Sequence, residues 1–220
     1  MISLTSGNNR PKEERTMNSD SPEILIVSGL PRSGTSLCMR MLEAGGVPVL
    51  VDNLRESDDD NPNGYYEFEP VKQTRLDPSW VRDAGGKAVK MVYRLLYDLP
   101  PQFCYRVLFM RRNILEILAS QRKMLERNGL PTDTVQDDEM QQLFESELAE
   151  SRRWMRQQSH LEVIEINYNE IIADPHSVVQ SIEGFLEQPV DVSAMEAVIN
   201  PELYRNRRCS TPEDQPSTQV

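Results

Sequence analysis

Residues 24–36 read ILIVSGLPRSGTS, and this stretch decides the fold. Its first four residues are apolar, as in a strand that is buried on both faces of a parallel sheet. A tight loop of Gly, Leu, Pro, Arg and Ser follows, and a helix start comes after it. We therefore predict a strand over residues 24–29, a loop, and a helix that starts at about Ser36.

The loop has the composition of a phosphate-binding loop. A helix N-terminus offers unpaired amide donors and a partial positive charge, and Gly34 lets the backbone close around an anion. Gly29 and Gly34 have the GxxxxG spacing of a Walker loop. Thr35 stands where that loop carries Lys, however, and the cation is found earlier, at Arg32. Because no predicted strand ends in an Asp suited to hold magnesium, an ordinary magnesium-dependent NTPase is poorly supported.

Strands and helices alternate along the rest of the chain. Apolar runs typical of strands buried on both faces lie at 87–92, 105–110 and 161–167. Helical spacing predicts helices over 113–127, 137–158 and from residue 175 to 186. On the second of these we expect a stripe of core residues: Met140, Leu143, Phe144, Leu148 and Met155. The order of the elements predicts a three-layer α/β/α fold with a central parallel sheet.

A second anion site is predicted where the strand over 105–110 ends. Arg112 follows that strand, and Ser120 lies about two helical turns further on. A guanidinium and a hydroxyl at this spacing can share one phosphate, although an Arg in this position also often pairs with a nearby acid such as Glu116. Together with the first loop, the pair predicts a nucleotide that carries phosphate at two ends.

The charge balance of the sequence limits the kinds of partner that the protein can attract. The 220 residues include 24 Lys and Arg against 35 Asp and Glu, so the net charge of −11 opposes attraction to nucleic acid or anionic lipid. No window approaches a membrane span, and the first twenty residues lack the apolar stretch of a signal peptide. We expect a soluble cytoplasmic protein with one domain over 23–208 and disordered tails at 1–22 and 209–220.

The few cysteines and histidines predict no metal centre. The three cysteines are widely spaced and form no CxxC pair, and the chain has only two histidines. Neither a disulfide framework nor a structural zinc site fits this pattern. We expect buried thiols and no metal, and we interpret His160 and His176 as ordinary surface residues.

The two anion motifs resemble those of the sulfotransferases that use 3′-phosphoadenosine-5′-phosphosulfate (PAPS). The segment 31–36 (PRSGTS) is similar to the 5′-phosphosulfate loop of that family, and the spacing of Arg112 and Ser120 is similar to its 3′-phosphate site. The segment 168–175 (YNEIIADP) is similar to a family segment whose Tyr lies near the adenine. The resemblance covers residues 23–208, and it implies the P-loop NTPase-like fold of a bacterial-type sulfotransferase that acts on a hydroxyl or amine.

The resemblance also implies roles for individual residues. Arg32 would contact the transferred sulfuryl group and the bridging oxygen, with Lys90 as a further catalytic cation. The basic segment 203–208 (LYRNRR) sits where the family often supplies further 3′-phosphate contacts, although a solvated basic tail explains it equally well. The implied nucleotide-binding residues are Arg32, Ser33, Gly34, Thr35, Ser36, Arg112, Ser120, Tyr168 and Arg205.

At the position of the catalytic base, the sequence differs from that of the cytosolic members of the family. Those members carry Lys-Thr-His at the end of a strand, whereas this chain has Lys90 followed by Met and Val. Other branches use a carboxylate, and the segment 61–67 (NPNGYYE) is similar to a segment of bacterial-type members. Two aromatic residues beside an acid suit a partly desolvated position, where the pKa of a Glu can rise toward that of a working base. We predict Glu67 as the base, with Glu69 and Glu56 as alternatives.

Two other functions are compatible with the sequence. One is a kinase-like P-loop enzyme with a divergent loop, which would prefer ATP and magnesium. The other is a nucleotide-binding protein without catalytic activity, an option that the missing histidine keeps open. Acceptor pockets on such folds are built from variable loops, so the acceptor and the oligomeric state are left unassigned.

Overall fold

One parallel sheet forms the centre of the molecule. The computed structural model describes residues 23–52, 54, 64–132, 136–186 and 188–200. Within these residues the sheet has four strands, which are β1 (Ile24–Gly29), β2 (Ala88–Val92), β3 (Tyr105–Arg111) and β4 (Leu161–Asn167). They lie in the spatial order β2-β1-β3-β4 and all run in the same direction, so their carboxyl ends lie at one edge.

A helix is present at each place where the sequence predicts one, and the described residues contain further short helices that the sequence does not predict. The part of the chain that the structure describes contains three short 3₁₀ helices, at Glu69–Gln73, Ser79–Asp83 and Tyr93–Asp98. The α-helices are α1 (Thr35–Ala44), α2 (Ile114–Arg127), α3 (Asp137–Met155), α4 (Tyr168–Ala173), α5 (Pro175–Leu186) and α6 (Val192–Ala197). Asn113 caps the start of α2, because its side chain accepts hydrogen bonds from the amides of Leu115 and Glu116.

The two faces of the sheet are covered by different helices. Alternate residues of each strand point to opposite faces. In β1, Leu25 and Val27 pack against α1, α4, α5 and α6. Ile24 and Ile26 pack instead against α2, α3 and the 3₁₀ helices. The predicted three-layer α/β/α fold is therefore confirmed.

Two predictions of burial are wrong in part. Among the described strands, β4 pairs with β3 alone, and it is only partly buried along most of its length, because an edge strand has a neighbour on one side. On α3, Leu148 and Met155 are buried as expected, whereas Leu143 is 48% exposed. The helical period identifies residues that share a face, but the extent of the neighbouring layer decides which of them it covers.

The histidines and cysteines differ in their surroundings. His176 is exposed and lies 2.7 Å from Glu196 Oε1, but the prediction of a surface position is wrong for His160, which is buried against the edge of the Tyr105 ring. Cys38 is buried as expected, and this raises the pKa of its thiol to about 12. Cys104 is partly buried, and Cys209 lies outside the described residues, as do the predicted tails.

Neither a metal cluster nor a membrane span is found in the described ranges. They contain no group of three or more His, Cys, Asp and Glu side chains placed to hold a metal ion. In the same part of the chain, no helix combines the length and the apolar character that crossing a bilayer requires.

Burial of His160 makes stability depend on pH. Burial lowers the pKa of His160, so the unfolded chain binds its proton more readily than the folded chain does. The contribution to stability is present above the unfolded pKa and is lost as the pH falls from about 6.5 toward the lower folded pKa. In urea unfolding between pH 7.5 and 5, we expect His160→Phe to lose less stability than the wild type. In the matched exposed variant, His176→Asn, the free energy of unfolding should change with pH more nearly as it does in the wild type. If His160→Phe lost as much stability as the wild type over this pH range, burial of His160 would not be the cause of the pH dependence.

Candidate functional site

The sheet has a topological switch point between β1 and β3. The helix after β1, α1, covers one face, and the helix after β3, α2, covers the other. A crevice therefore opens between the carboxyl ends of these two neighbouring strands, which is where open α/β sheets bind ligands. The predicted phosphate loop follows β1 and Arg112 follows β3, so both motifs border this crevice.

The phosphate loop ends in an uncapped helix start. Gly34 occupies the N-cap of α1 with φ 101°, and no described side chain caps the first turn. The amides of that turn are therefore available to an anion. Ser33 is fully buried, and its hydroxyl has no hydrogen-bond partner among the described residues. Because a buried hydroxyl without a partner is costly, this residue is suited to a polar ligand.

Glycine is required at position 34 for two reasons. Its positive φ lies in the region that side-chain-bearing residues avoid. A Cβ atom at this position would also overlap the ring of Tyr168, at the start of α4. The loop after β1 and the helix after β4 are therefore in direct backbone-to-ring contact.

Arg32 adopts an unfavourable backbone conformation. Its φ is 74°, and within the described residues only Tyr66 shares a positive φ without being Gly. Such a conformation costs on the order of 1 kcal/mol and is concentrated at functional sites. The Arg32 guanidinium Nε donates a hydrogen bond of 2.9 Å to the hydroxyl oxygen of Ser120, which is buried on α2. The loop residue thus contacts the helix that carries the second anion motif.

Arg112 is held on three sides. Its Nε donates to Glu116 Oε2 at 3.0 Å, and its Nη1 donates to the carbonyl oxygen of Arg32 at 3.3 Å. Its guanidinium carbon lies 4.5 Å from the centre of the Tyr168 ring, a distance typical of a cation–π contact. The two turns that carry arginines are therefore in contact, and the Arg112–Glu116 pair considered from the sequence is also present.

Tyr168 lies between the two anion motifs. Only 7% of its surface is exposed, because Gly34 and the Arg112 guanidinium pack against its ring. The ring therefore packs between the loop and the second motif where the two meet. A contact between Tyr168 and an adenine stays a prediction.

Glu67 and Lys90 meet on the other side of the loop. The Lys90 ammonium donates to the carbonyl oxygen of Tyr65, and the Ser36 hydroxyl reaches the same oxygen at 3.3 Å. Glu67 Oε1 lies 4.0 Å from Lys90 Nζ, and Glu67 Oε2 lies 4.0 Å from Lys72 Nζ. The predicted base is thus partly buried between two ammonium groups, close to the first turn of α1.

The alternative carboxylates have different positions. Glu69 is exposed and bonds to Lys72, and its amide donates to Asp52 Oδ2 at 2.6 Å. Glu56 lies outside the described residues, and so does Arg205. Of the two acids that can be compared, Glu67 is therefore the one in contact with Lys90.

One polar cluster near the site was missed in the sequence. The Tyr93 hydroxyl, which is buried directly after β2, donates to Glu147 on α3, and Arg94 bonds to both of them. Glu147 is 54 residues away from Tyr93 along the chain, so no local spacing connects them. The feature of the sequence that could have pointed to this cluster is the position of Tyr93 at the end of a predicted strand.

Comparison with known proteins identifies the fold. No protein-family model and no curated protein matches the chain. Among solved structures, the sulfotransferase STF1 from Mycobacterium tuberculosis aligns with a TM-score of 0.50 and 16% identity, over 81% of this chain and 71% of that one. The chain therefore has the α/β fold of the sulfotransferases, and that sequence-based prediction is confirmed.

Two further sulfotransferases align at slightly lower scores. Mouse SULT7A1, solved in complex with PAP, aligns with a TM-score of 0.49 and 19% identity, over 84% of this chain and 64% of that one. The sulfotransferase domain from the curacin biosynthetic pathway aligns with a TM-score of 0.46 and 16% identity, over 86% and 79%.

The contact between Gly34 and Tyr168 can be tested by substitution. Gly34→Ala adds a methyl group at positive φ and against the ring, so we expect the free energy of unfolding to fall by about 1–3 kcal/mol. Gly184→Ala is the matched control, because that glycine is helical and has open space around it; here we expect stabilisation of about 0.4–1 kcal/mol. Urea denaturation measures both, and a neutral Gly34→Ala would show that the loop does not depend on this contact.

Proposed function

We propose that this protein is a sulfotransferase that moves a sulfuryl group from PAPS to a hydroxyl or amine of an acceptor. The observation that carries the proposal is the contact between the two arginine-bearing turns, through Arg112 Nη1 and the Arg32 carbonyl and through Arg32 Nε and Ser120. A nucleotide with phosphate at both ends of its ribose matches two adjacent anion sites better than a linear triphosphate does. The fold agrees with this proposal.

The donor would lie across the crevice between β1 and β3. The amides at the start of α1 would bind the 5′-phosphate, and Arg112 with Ser120 would bind the 3′-phosphate. The proposed nucleotide-binding set also includes Tyr168 beside the adenine and, from the segment outside the described residues, Arg205. The loop residues proposed for the 5′-phosphosulfate end of the donor are Arg32, Ser33, Gly34, Thr35 and Ser36, with Arg32 at the sulfuryl group and the bridging oxygen.

The proposed reaction is an in-line displacement at sulfur. A bond forms between the acceptor oxygen or nitrogen and sulfur, the bond from sulfur to the bridging oxygen breaks, and 3′,5′-adenosine bisphosphate leaves. Glu67 takes the acceptor proton, while Arg32 and Lys90 stabilise the negative charge that develops on the bridging oxygen. A sulfuryl group carries less negative charge than a phosphoryl group. These cations and the loop amides would therefore be sufficient to stabilise the transition state, where phosphoryl transfer recruits magnesium.

Nucleotide preference tests the proposal directly. By calorimetry we expect 3′,5′-adenosine bisphosphate to bind more tightly than adenosine 5′-monophosphate, and more tightly than ATP with magnesium. Folded protein that does not bind the bisphosphate would refute the proposal. A preference for magnesium ATP would favour a kinase-like enzyme instead.

Transfer of radiolabelled sulfate from PAPS to a panel of phenols, alcohols, sugars and amines then tests for an enzyme. Label in at least one acceptor is the expected result, and Arg32→Ala should abolish it. Bisphosphate binding without transfer to any acceptor class would favour the non-catalytic alternative.

The role of Glu67 has its own test. Glu67→Gln removes the proton acceptor but keeps the size of the side chain, so we expect kcat to fall by about 100- to 10,000-fold while bisphosphate affinity is kept. Glu69→Gln is the matched control, because Glu69 lies two residues away and bonds to the same Lys72, and its kcat should stay near the wild-type value. If Glu69→Gln lost activity and Glu67→Gln did not, Glu69 would be the base instead of Glu67.

A further inference from the structure

Glu116 is a buried acid that the proposed reaction does not use. Only 4% of its surface is exposed, and a buried carboxylate is costly unless it is paired and hydrogen-bonded. Both of its oxygens are bonded: Oε2 accepts from Arg112 Nε, and the Asn169 side-chain amide lies 3.4 Å from Oε1 and 3.3 Å from Oε2. Glu116 also lies in the first turn of α2, where the helix dipole favours a negative charge.

Asn169 connects this acid to a second element. It follows Tyr168 on α4, and its side-chain oxygen accepts from the Asn113 amide at 3.5 Å, just before α2. The connection fixes α4 relative to the start of α2. It therefore keeps the Tyr168 ring against the guanidinium while Glu116 holds the Nε edge of that guanidinium.

An arginine held in this way is ordered before an anion arrives. A long flexible side chain normally loses rotamer freedom when it binds a ligand, and an oriented one loses less. The fixed fork of a guanidinium also binds phosphate well only in a suitable orientation. The charge of Glu116 opposes an incoming phosphate, but the ion pair with Arg112 already compensates that charge.

We propose that Glu116, oriented by Asn169, is a positioning residue that presents Arg112 to the 3′-phosphate of the nucleotide. The protein thereby selects nucleotides that carry a phosphate at the 3′ position. This inference rests on the proposed function, in which Arg112 and Ser120 bind that phosphate. It concerns selectivity between nucleotides, which is a property that a purely structural ion pair would not change.

The test compares two nucleotides in the same protein. Calorimetry with 3′,5′-adenosine bisphosphate and with adenosine 5′-monophosphate gives a ratio of affinities for each variant. In Glu116→Gln we expect this ratio to fall about tenfold while the affinity for the monophosphate is kept. Asn169→Ala leaves the ion pair in place, so we expect a smaller fall. The matched control is Glu170→Gln, an exposed acid on α4 that bonds to Asn167, and its ratio should not change.

The outcomes separate this inference from the proposed function. If the wild type binds both nucleotides equally, the assignment of a 3′-phosphate site is wrong, and the positioning role of Glu116 is wrong as well. If the wild type prefers the bisphosphate and folded Glu116→Gln keeps the same ratio, only the positioning role is wrong. Tighter bisphosphate binding by Glu116→Gln would also overturn it, because repulsion by the carboxylate would then dominate. Should Glu116→Gln fail to fold by circular dichroism, an unchanged ratio in Asn169→Ala would overturn it.

Discussion

The guanidinium of Arg112 lies where three strand ends meet, and the candidate site depends on its contacts. It reaches the carbonyl of Arg32 after β1, the carboxylate of Glu116 after β3 and the ring of Tyr168 after β4. Parallel strands bring these residues to one edge, but only a cation with several donors and a flat face can contact all three. The phosphate loop, α2 and α4 therefore have fixed positions relative to one another.

Unfavourable backbone geometry occurs at two positions that border the phosphate loop and the first turn of α1. Arg32 and Tyr66 are the side-chain-bearing residues with positive φ in the described ranges; Arg32 lies within the phosphate loop, and Tyr66 directly precedes Glu67. Each costs on the order of 1 kcal/mol, which the two apolar layers around the sheet must offset. The strain has local benefits, since Arg32 thereby contacts Ser120, and the Tyr65 carbonyl next to Tyr66 accepts from both Ser36 and Lys90.

Most of the fold could be predicted from the sequence because its signals are local. A few consecutive residues are enough to recognise the apolar runs of β1 and β3 and the inner face of α5. The exposure of β4 and the burial of His160 could not be predicted, because both depend on which neighbour lies alongside. For the site, the two arginine motifs were found at strand ends, whereas the contact of Tyr93 with Glu147 joins residues without any common motif. The catalytic and binding roles stay predictions.

The backbone of Gly34 rests on the ring of Tyr168, and this packing links two positions that are 134 residues apart in sequence. With the ring in place, position 34 has room for a hydrogen atom only, and its positive φ favours glycine as well. Among relatives of this chain, the two positions should accordingly covary. A pairing of glycine with an aromatic residue would then mark sequences that retain this same contact between the phosphate loop and α4.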